Sequence, residues 1–130
     1  MSVHPPEVDK HLALADRNRD LAITVRDHGA DMVTPPPYDW VIVMAFYAAL
    51  HYVNAHYWRR MEHKPPTDHQ ARNGYVNKTT ELQSIAPMYN QLYSASRIAR
   101  YDIGPYYRKT ATDSAIEIAN AIDARIRAMI

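Results

Sequence analysis

Apolar and polar positions along this chain repeat with a helical period, and prolines break the pattern. From about residue 7 to residue 28, Val8, Leu12, Ala15, Ala22 and Val25 fall close to one stripe, which Leu14 and Leu21 widen. Pro5-Pro6-Glu7 reads as the start of this helix and Gly29 as its C-terminal cap. Thr34-Pro35-Pro36-Pro37 forms a rigid connector, because each proline restricts the residue before it. A second helix is expected over 38–61. At ~1.5 Å per residue it would span roughly 35 Å. Trp40, Met44, Tyr47, His51, Asn54 and Trp58 share one face, while Ile42, Phe46, Ala49, Leu50, Val53 and Tyr57 cover the opposite one. A helix that is apolar nearly all round must be buried on most sides. Its two faces call for neighbouring helices on one side and a second subunit, in a homodimer, on the other.

His63-Lys64-Pro65-Pro66 is the next break, and Thr67-Asp68-His69-Gln70 matches a capping box with Thr67 at the cap. A third helix is expected over 68–84, with Ala71, Tyr75 and Leu82 inward. Ser84 would cap a fourth over 86–101, with Pro87 in its first turn and Ile85, Tyr89, Leu92, Ser96 and Ala99 inward. Asp102-Ile103-Gly104-Pro105 would end it. A fifth helix over 112–129, starting near Thr110 or Thr112, carries Ile116, Ala119, Ile122, Ile126 and Met129 on its apolar stripe. The expectation is one all-α domain over 1–130, an up-and-down bundle of four to five helices.

Composition agrees with that. Apolar residues make up 47% and charged residues 22% of the 130, with only three glycines. The formal net charge of +1 selects neither nucleic acid nor membrane by global field, although local patches stay open. There is no cysteine, which excludes disulfides and thiolate metal sites and makes a reducing cytoplasm the default. The run Trp40–Leu50 is too short to cross a bilayer, and the N-terminus does not read as a signal peptide.

Candidate chemistry is sparse. His51 and Asn54 lie one turn apart on the second helix. A general base or ligand is one reading; a hydrogen-bonded structural pair is the favoured one. No Glu-x-x-His dimetal motif, Gly-rich phosphate loop or Gly-x-Ser-x-Gly turn occurs, so no metal or cofactor is expected. His69, Arg72 and Asn73 sit at a helix start, where free N–H groups and the helix dipole favour an anion. His69 could there exchange a proton with a phosphate that Arg72 holds, or the turn could be merely solvated. Arg97, Arg100 and Tyr101 close the fourth helix. They could clamp phosphate and stack on bases, or Arg could pair with Asp102 or Asp39. Tyr106-Tyr107-Arg108-Lys109 adds a second aromatic-basic cluster.

These segments resemble a known family. Asp39-Trp40, Phe46-Tyr47-Ala48-Ala49-Leu50-His51, His69-Gln70-Ala71-Arg72-Asn73, Tyr89, Leu92, Tyr93 and Ser96-Arg97-Ile98-Ala99-Arg100-Tyr101-Asp102 are similar to small prokaryotic proteins of the HEPN superfamily. The resemblance covers about Asp39 to Asp102. It implies a helical bundle, commonly a homodimer, and either a metal-independent ribonuclease of a toxin–antitoxin, CRISPR or phage-defence system or a non-catalytic partner of a nucleotidyltransferase. Catalytic members carry Arg, then about four to six residues, then His. No Arg here has a His at that distance; three residues separate Arg59 from His63. The resemblance therefore implies RNA-directed function with weak, altered or absent cleavage. His69 and Arg72 are the candidate catalytic pair, and Arg72, Asn73, Arg97, Arg100 and Tyr101 the candidate RNA contacts. The alternative is a helical interaction module that partners an antitoxin or a nucleotidyltransferase.

Overall fold

The computed structural model describes residues 4–102 and 107–130, and among them there is no strand. The described residues form five α-helices: α1 Pro6–Met32, α2 Tyr38–Met61, α3 His69–Lys78, α4 Ala86–Tyr101 and α5 Lys109–Met129. A single 3-10 turn, Thr80–Leu82, follows α3. The helix stop expected at Ile103-Gly104-Pro105, and Tyr106 of the second aromatic-basic cluster, lie outside the described residues.

The apolar α2 is the centre of the bundle, with α1, α4 and α5 packed around it. Its Val41, Ala45, Phe46, Ala48, Ala49, Tyr52 and Ala55 are fully buried, and the alanines let neighbouring helices come close. Cross-helix pairs give the directions. His11 meets His51 and Gly29 meets Pro37, so α1 and α2 run antiparallel. Asp16 pairs with Arg127 and Arg26 with Asp113, so α5 is antiparallel to α1. His56 reaches Glu81 while Tyr47 reaches Arg100, so α4 is antiparallel to α2. The arrangement is an up-and-down bundle of four long helices, with α3 set across the turn between α2 and α4. Tyr89, Leu92 and Ser96 of α4 and Ile116, Ala119, Ile122 and Ile126 of α5 are buried as their periodicity required.

Several local expectations are corrected. Gly29 does not cap α1. The helix runs through it to Met32, and the missing side chain makes room for the proline connector: a Cβ there would stand 3.2 Å from the Pro37 ring. Leu14 and Leu21 lie on the outer face of α1, 45% and 42% exposed, because the buried stripe is the narrower Val8–Ala15–Ala22 line. Trp40 is 58% exposed, beyond the reach of the helices that cover α2. The cap of α3 is Asp68, not Thr67; its carboxylate accepts from the Ala71 amide at 2.7 Å. Helix α3 ends at Lys78 and buries Arg72 and Val76, not Ala71. Ile85 stands at the cap of α4 without a side-chain hydrogen bond, although Pro87 does sit in its first turn.

These placements separate core from surface within one periodic pattern. Ile122→Ala should cost about 2–5 kcal/mol in unfolding free energy, the range for emptying a sealed aliphatic site. Leu14→Ala should stay within about 0.5 kcal/mol, as outward positions do. Urea denaturation of the two variants checks both, and equal losses would show that α1 is rotated from this placement.

Candidate functional site

The α1 N-terminal turns, α2, and the connector from Lys64 into α3 enclose a cleft of about 670 Å³. Its floor is the polar-aromatic row of α2: Tyr47, His51, Asn54 and Trp58. Glu7 and His11 come from α1, Lys64 and Pro66 from the connector, and His69 and Arg72 from α3. Sequence spacing placed His51 and Asn54 together. It also placed His69 with Arg72. The fold brings the two pairs to one wall.

Arg72 is the keystone. It is 5% exposed, and its guanidinium faces inward. Nε donates to Asn54 Oδ1 at 3.1 Å, Nη2 donates to the Pro66 carbonyl at 2.7 Å, and Nη1 lies 3.4 Å from His69 Nδ1. These bonds explain why α3 buries Arg72 and exposes Ala71: a planar fork that finds acceptors on three sides can be buried at tolerable cost. Asn54 is itself buried and is the acceptor for this bond. Arg72 is committed to the chain on these sides and meets the cleft with what remains of its fork. The first turn of α3 also differs from the expected anion site, since Asp68 already occupies one of its amides.

His51 is only half-buried. It lines the cleft and pairs with a residue that sequence spacing had not singled out: His11 Nδ1 lies 2.9 Å from His51 Nδ1. The ring centroids are 5.2 Å apart, a separation reached when the two nitrogens point at each other edge to edge. Burial, then His11, then Arg72 lower the His51 pKa to about 4. Burial and Arg72 lower that of His11 against an opposing pull from Glu7. His69 is lowered by burial first and then by Arg72, Arg100, Asp68 in opposition, and Arg97. All three imidazoles are therefore neutral at pH 7. The sequence signal for His11 was the Glu7–His11 pair, one turn apart beside the apolar stripe of α1.

On the far side of His69 the surface changes character. Its ring packs on Phe46 and Tyr93, with centroids at 5.6 and 5.4 Å. Arg97 stands over Tyr93 at 5.9 Å. Arg100 stands over Tyr47 and the exposed Tyr101 and donates to Tyr47 Oη at 3.1 Å. A second, open groove of about 990 Å³ passes here, carrying Arg60, Lys78, Arg97, Asn73 and the rings of Tyr57 and Tyr93. Among the described residues no carboxylate lines it. Among the described residues every Arg–carboxylate pair involves Arg19, Arg26 or Arg127 on α1 and α5. Arg97 and Arg100 pair with neither Asp102 nor Asp39. His69 feels the charges of Arg72, Arg97 and Arg100, but no one groove holds all four: His69 and Arg72 line the cleft and Arg97 lines the open groove. Arg60 and Lys78, which the sequence pattern did not single out, add to the cationic lining of that groove.

A third histidine plays a different part. His56 is 3% exposed, with Nε2 3.1 Å from Glu81 Oε1 and Nδ1 2.7 Å from Tyr75 Oη. The carboxylate only accepts, so Nε2 carries the proton and the neutral ring accepts from the tyrosine. That triad ties α2 to α3 and to the turn before α4. Among the described residues no three His, Asp or Glu side chains converge on a metal position, and no helix is long and apolar enough to cross a membrane. Comparison with family models, curated proteins and solved structures finds no match for this chain.

The depressed histidines fix a pH dependence. For His51 the unfolded state takes up its proton near 6.5 and the folded state near 4. Its stabilising contribution is thus complete above about 6.5 and is lost as pH falls toward 4. Urea denaturation should show unfolding free energy declining through that window, with a shallower decline in His51→Gln. Separately, Arg72→Lys keeps the charge but cannot serve three acceptors, and should cost about 1–3 kcal/mol. A melting point unchanged by that substitution would mean that the buried fork contributes nothing.

Proposed function

We propose that this chain is a HEPN-like, RNA-directed protein of a defence or toxin–antitoxin system that holds RNA phosphates along the α3–α4 face. The observation that carries this reading is the groove where Arg60, Lys78 and Arg97 stand beside Tyr57 and Tyr93 and no carboxylate among the described residues lines the wall. Arg100 and Tyr101 follow on α4, where Asp102 shares the surface. Unpaired guanidinium groups beside ring faces suit a single strand: the cations track phosphates and the rings accept stacked bases. Arg72 acts in this reading by fixing His69, while Arg97 and Arg100 make the phosphate contacts. The resemblance from Asp39 to Asp102 supports the same class. The missing Arg-to-His spacing sets cleavage, where it occurs, apart from that of the catalytic members.

A second reading, a helical module that dimerises or docks on a nucleotidyltransferase or antitoxin, is favoured by one feature. Large apolar side chains stand in solvent at Trp40, Ile98 and Tyr101, which are 58%, 45% and 71% exposed.

Titration of a labelled single-stranded RNA distinguishes the two. Binding should weaken steeply with salt, because phosphate neutralisation releases counterions. The Arg97→Ala, Arg100→Ala double variant should bind more weakly and lose up to about two from the log–log salt slope, about one per phosphate contact removed. Identical curves for wild type and variant would remove the nucleic-acid reading. Light scattering that gives twice the 15.0 kDa chain mass would then support the interaction module.

A further inference from the structure

His11 and His51 are bonded in a way that constrains both rings. Two neutral imidazoles cannot both donate through Nδ1, so one carries its proton there and the other carries it on Nε2. The 2.9 Å contact therefore imposes opposite tautomers. One ring offers a bare Nε2, a proton acceptor. Its partner offers Nε2–H, a proton donor. Neither Nε2 has a partner in the chain among the described residues, and neither is a buried orphan sealed from solvent. Both rings line the cleft. The charged and titratable groups that share it are Glu7 from α1, Tyr47 from α2, Lys64 from the connector, and His69 and Arg72 from α3. Four of these can donate to an anion, and one is a carboxylate.

We propose that the His11–His51 pair is a general acid–base centre for cleavage of an RNA phosphodiester, acting by proton relay through its Nδ1–Nδ1 bond. The assignment rests on the RNA reading above and gives it a reactive centre. The bare Nε2 takes the proton of a ribose 2′-hydroxyl as that oxygen bonds to phosphorus. The P–O5′ bond breaks, and the departing oxygen takes the proton from the other Nε2. The bridging proton passes from one Nδ1 to the other. One proton enters the pair and one leaves, so both rings end neutral with exchanged tautomers. Proton exchange with water resets them. The products are a 2′,3′-cyclic phosphate and a 5′-hydroxyl, and no metal or redox partner enters the balance. Lys64, His69 and the part of the Arg72 fork left free share the cleft and would stabilise charge that builds on the phosphoryl oxygens. The low histidine pKa values keep the pair neutral at pH 7, the state in which it both accepts and donates.

The test uses the full chain in EDTA at pH 7 with a short single-stranded RNA. A matched oligonucleotide deoxy at every 2′ position serves as control, and binding is measured separately. The discriminating variant is His51→Asn, whose amide can still meet His11 Nδ1 but has no atom in place of Nε2. His11→Asn is its mirror, and the exposed His28→Gln is the control. The expected result is cyclic-phosphate product from wild type and His28→Gln, and none from the deoxy strand. A loss of a hundredfold or more is expected in both Asn variants, with Kd within twofold and melting preserved. Nitrogen-15 spectra of labelled histidine should show one protonated and one bare Nδ1 in the pair. Cleavage by wild type that is indifferent to His11 and His51 would overturn the assignment and leave the RNA reading intact, as would tight binding with no cleavage. Absence of RNA binding by wild type would overturn both.

Discussion

Helix α2 has no face that water would welcome, and the rest of the fold is a response to that. Burying an all-round apolar helix takes neighbours on every side. Helices α1, α4 and α5 supply three of them and leave a seam between α1 and α4 along the Tyr47–His51–Asn54–Trp58 row. Helix α3 is too short to close it alone. The Pro65-Pro66 connector and the inward fork of Arg72 complete the wall, with Asn54 as the acceptor that makes a buried guanidinium tolerable. The cleft is what remains of the seam. Its polar character follows from the same constraint: residues at an incompletely covered edge of a core helix must serve both packing and solvent.

That origin explains which parts of the structure were legible in the sequence. The four long helices announce themselves through period and proline, and their spans agree with the chain's pattern to within a few residues. The stripes of α4 and α5 are simple amphipathic patterns, and Tyr89, Leu92, Ile122 and Ile126 fall where period alone puts them. Helix α3 was misjudged, because period favoured Ala71 over an arginine. No local rule states that Arg72 will find Asn54 eighteen positions away and a proline carbonyl six positions away. His11 was missed for the same reason. Its partner lies forty residues on, and only the antiparallel packing of α1 on α2 brings the rings together. Pairwise polar contacts between elements depend on rotation and register, which hydrophobic pattern fixes only to about one residue.

Charge is sorted by the bundle in a way the net value of +1 conceals. On the α1–α5 side Arg19, Arg26 and Arg127 are satisfied by Asp16, Asp113 and Asp123, and Asp16 also accepts from Tyr52 at 2.7 Å. Burial raises the Asp16 pKa, but Tyr52 and Arg127 together hold it below its ordinary value. This is a structural network, closed on itself. On the α3–α4 side the arginines meet rings and hydroxyls instead of acids. A near-neutral chain therefore carries a local positive field without a large global repulsion, and the field lies where His69, Tyr93 and Tyr101 offer flat surfaces.

The two sets of groups around the cleft are complementary because one guanidinium acts on all of the histidines. Arg72 lowers the pKa of His11, His51 and His69 together. Burial is the larger cause in each ring, and Arg72, whose charge cannot be titrated away, adds to it. An anion seated against Arg72 would offset that charge and ease protonation of the same rings. Binding of an anion and uptake of a proton are thus coupled through one side chain, and by linkage the coupling is reciprocal. The empty cleft favours imidazoles that can accept a proton; the anion-filled cleft favours holding it. That coupling belongs to the cleft whatever anion enters it. Here it arises from an arginine whose first task is to bury α3 against α2.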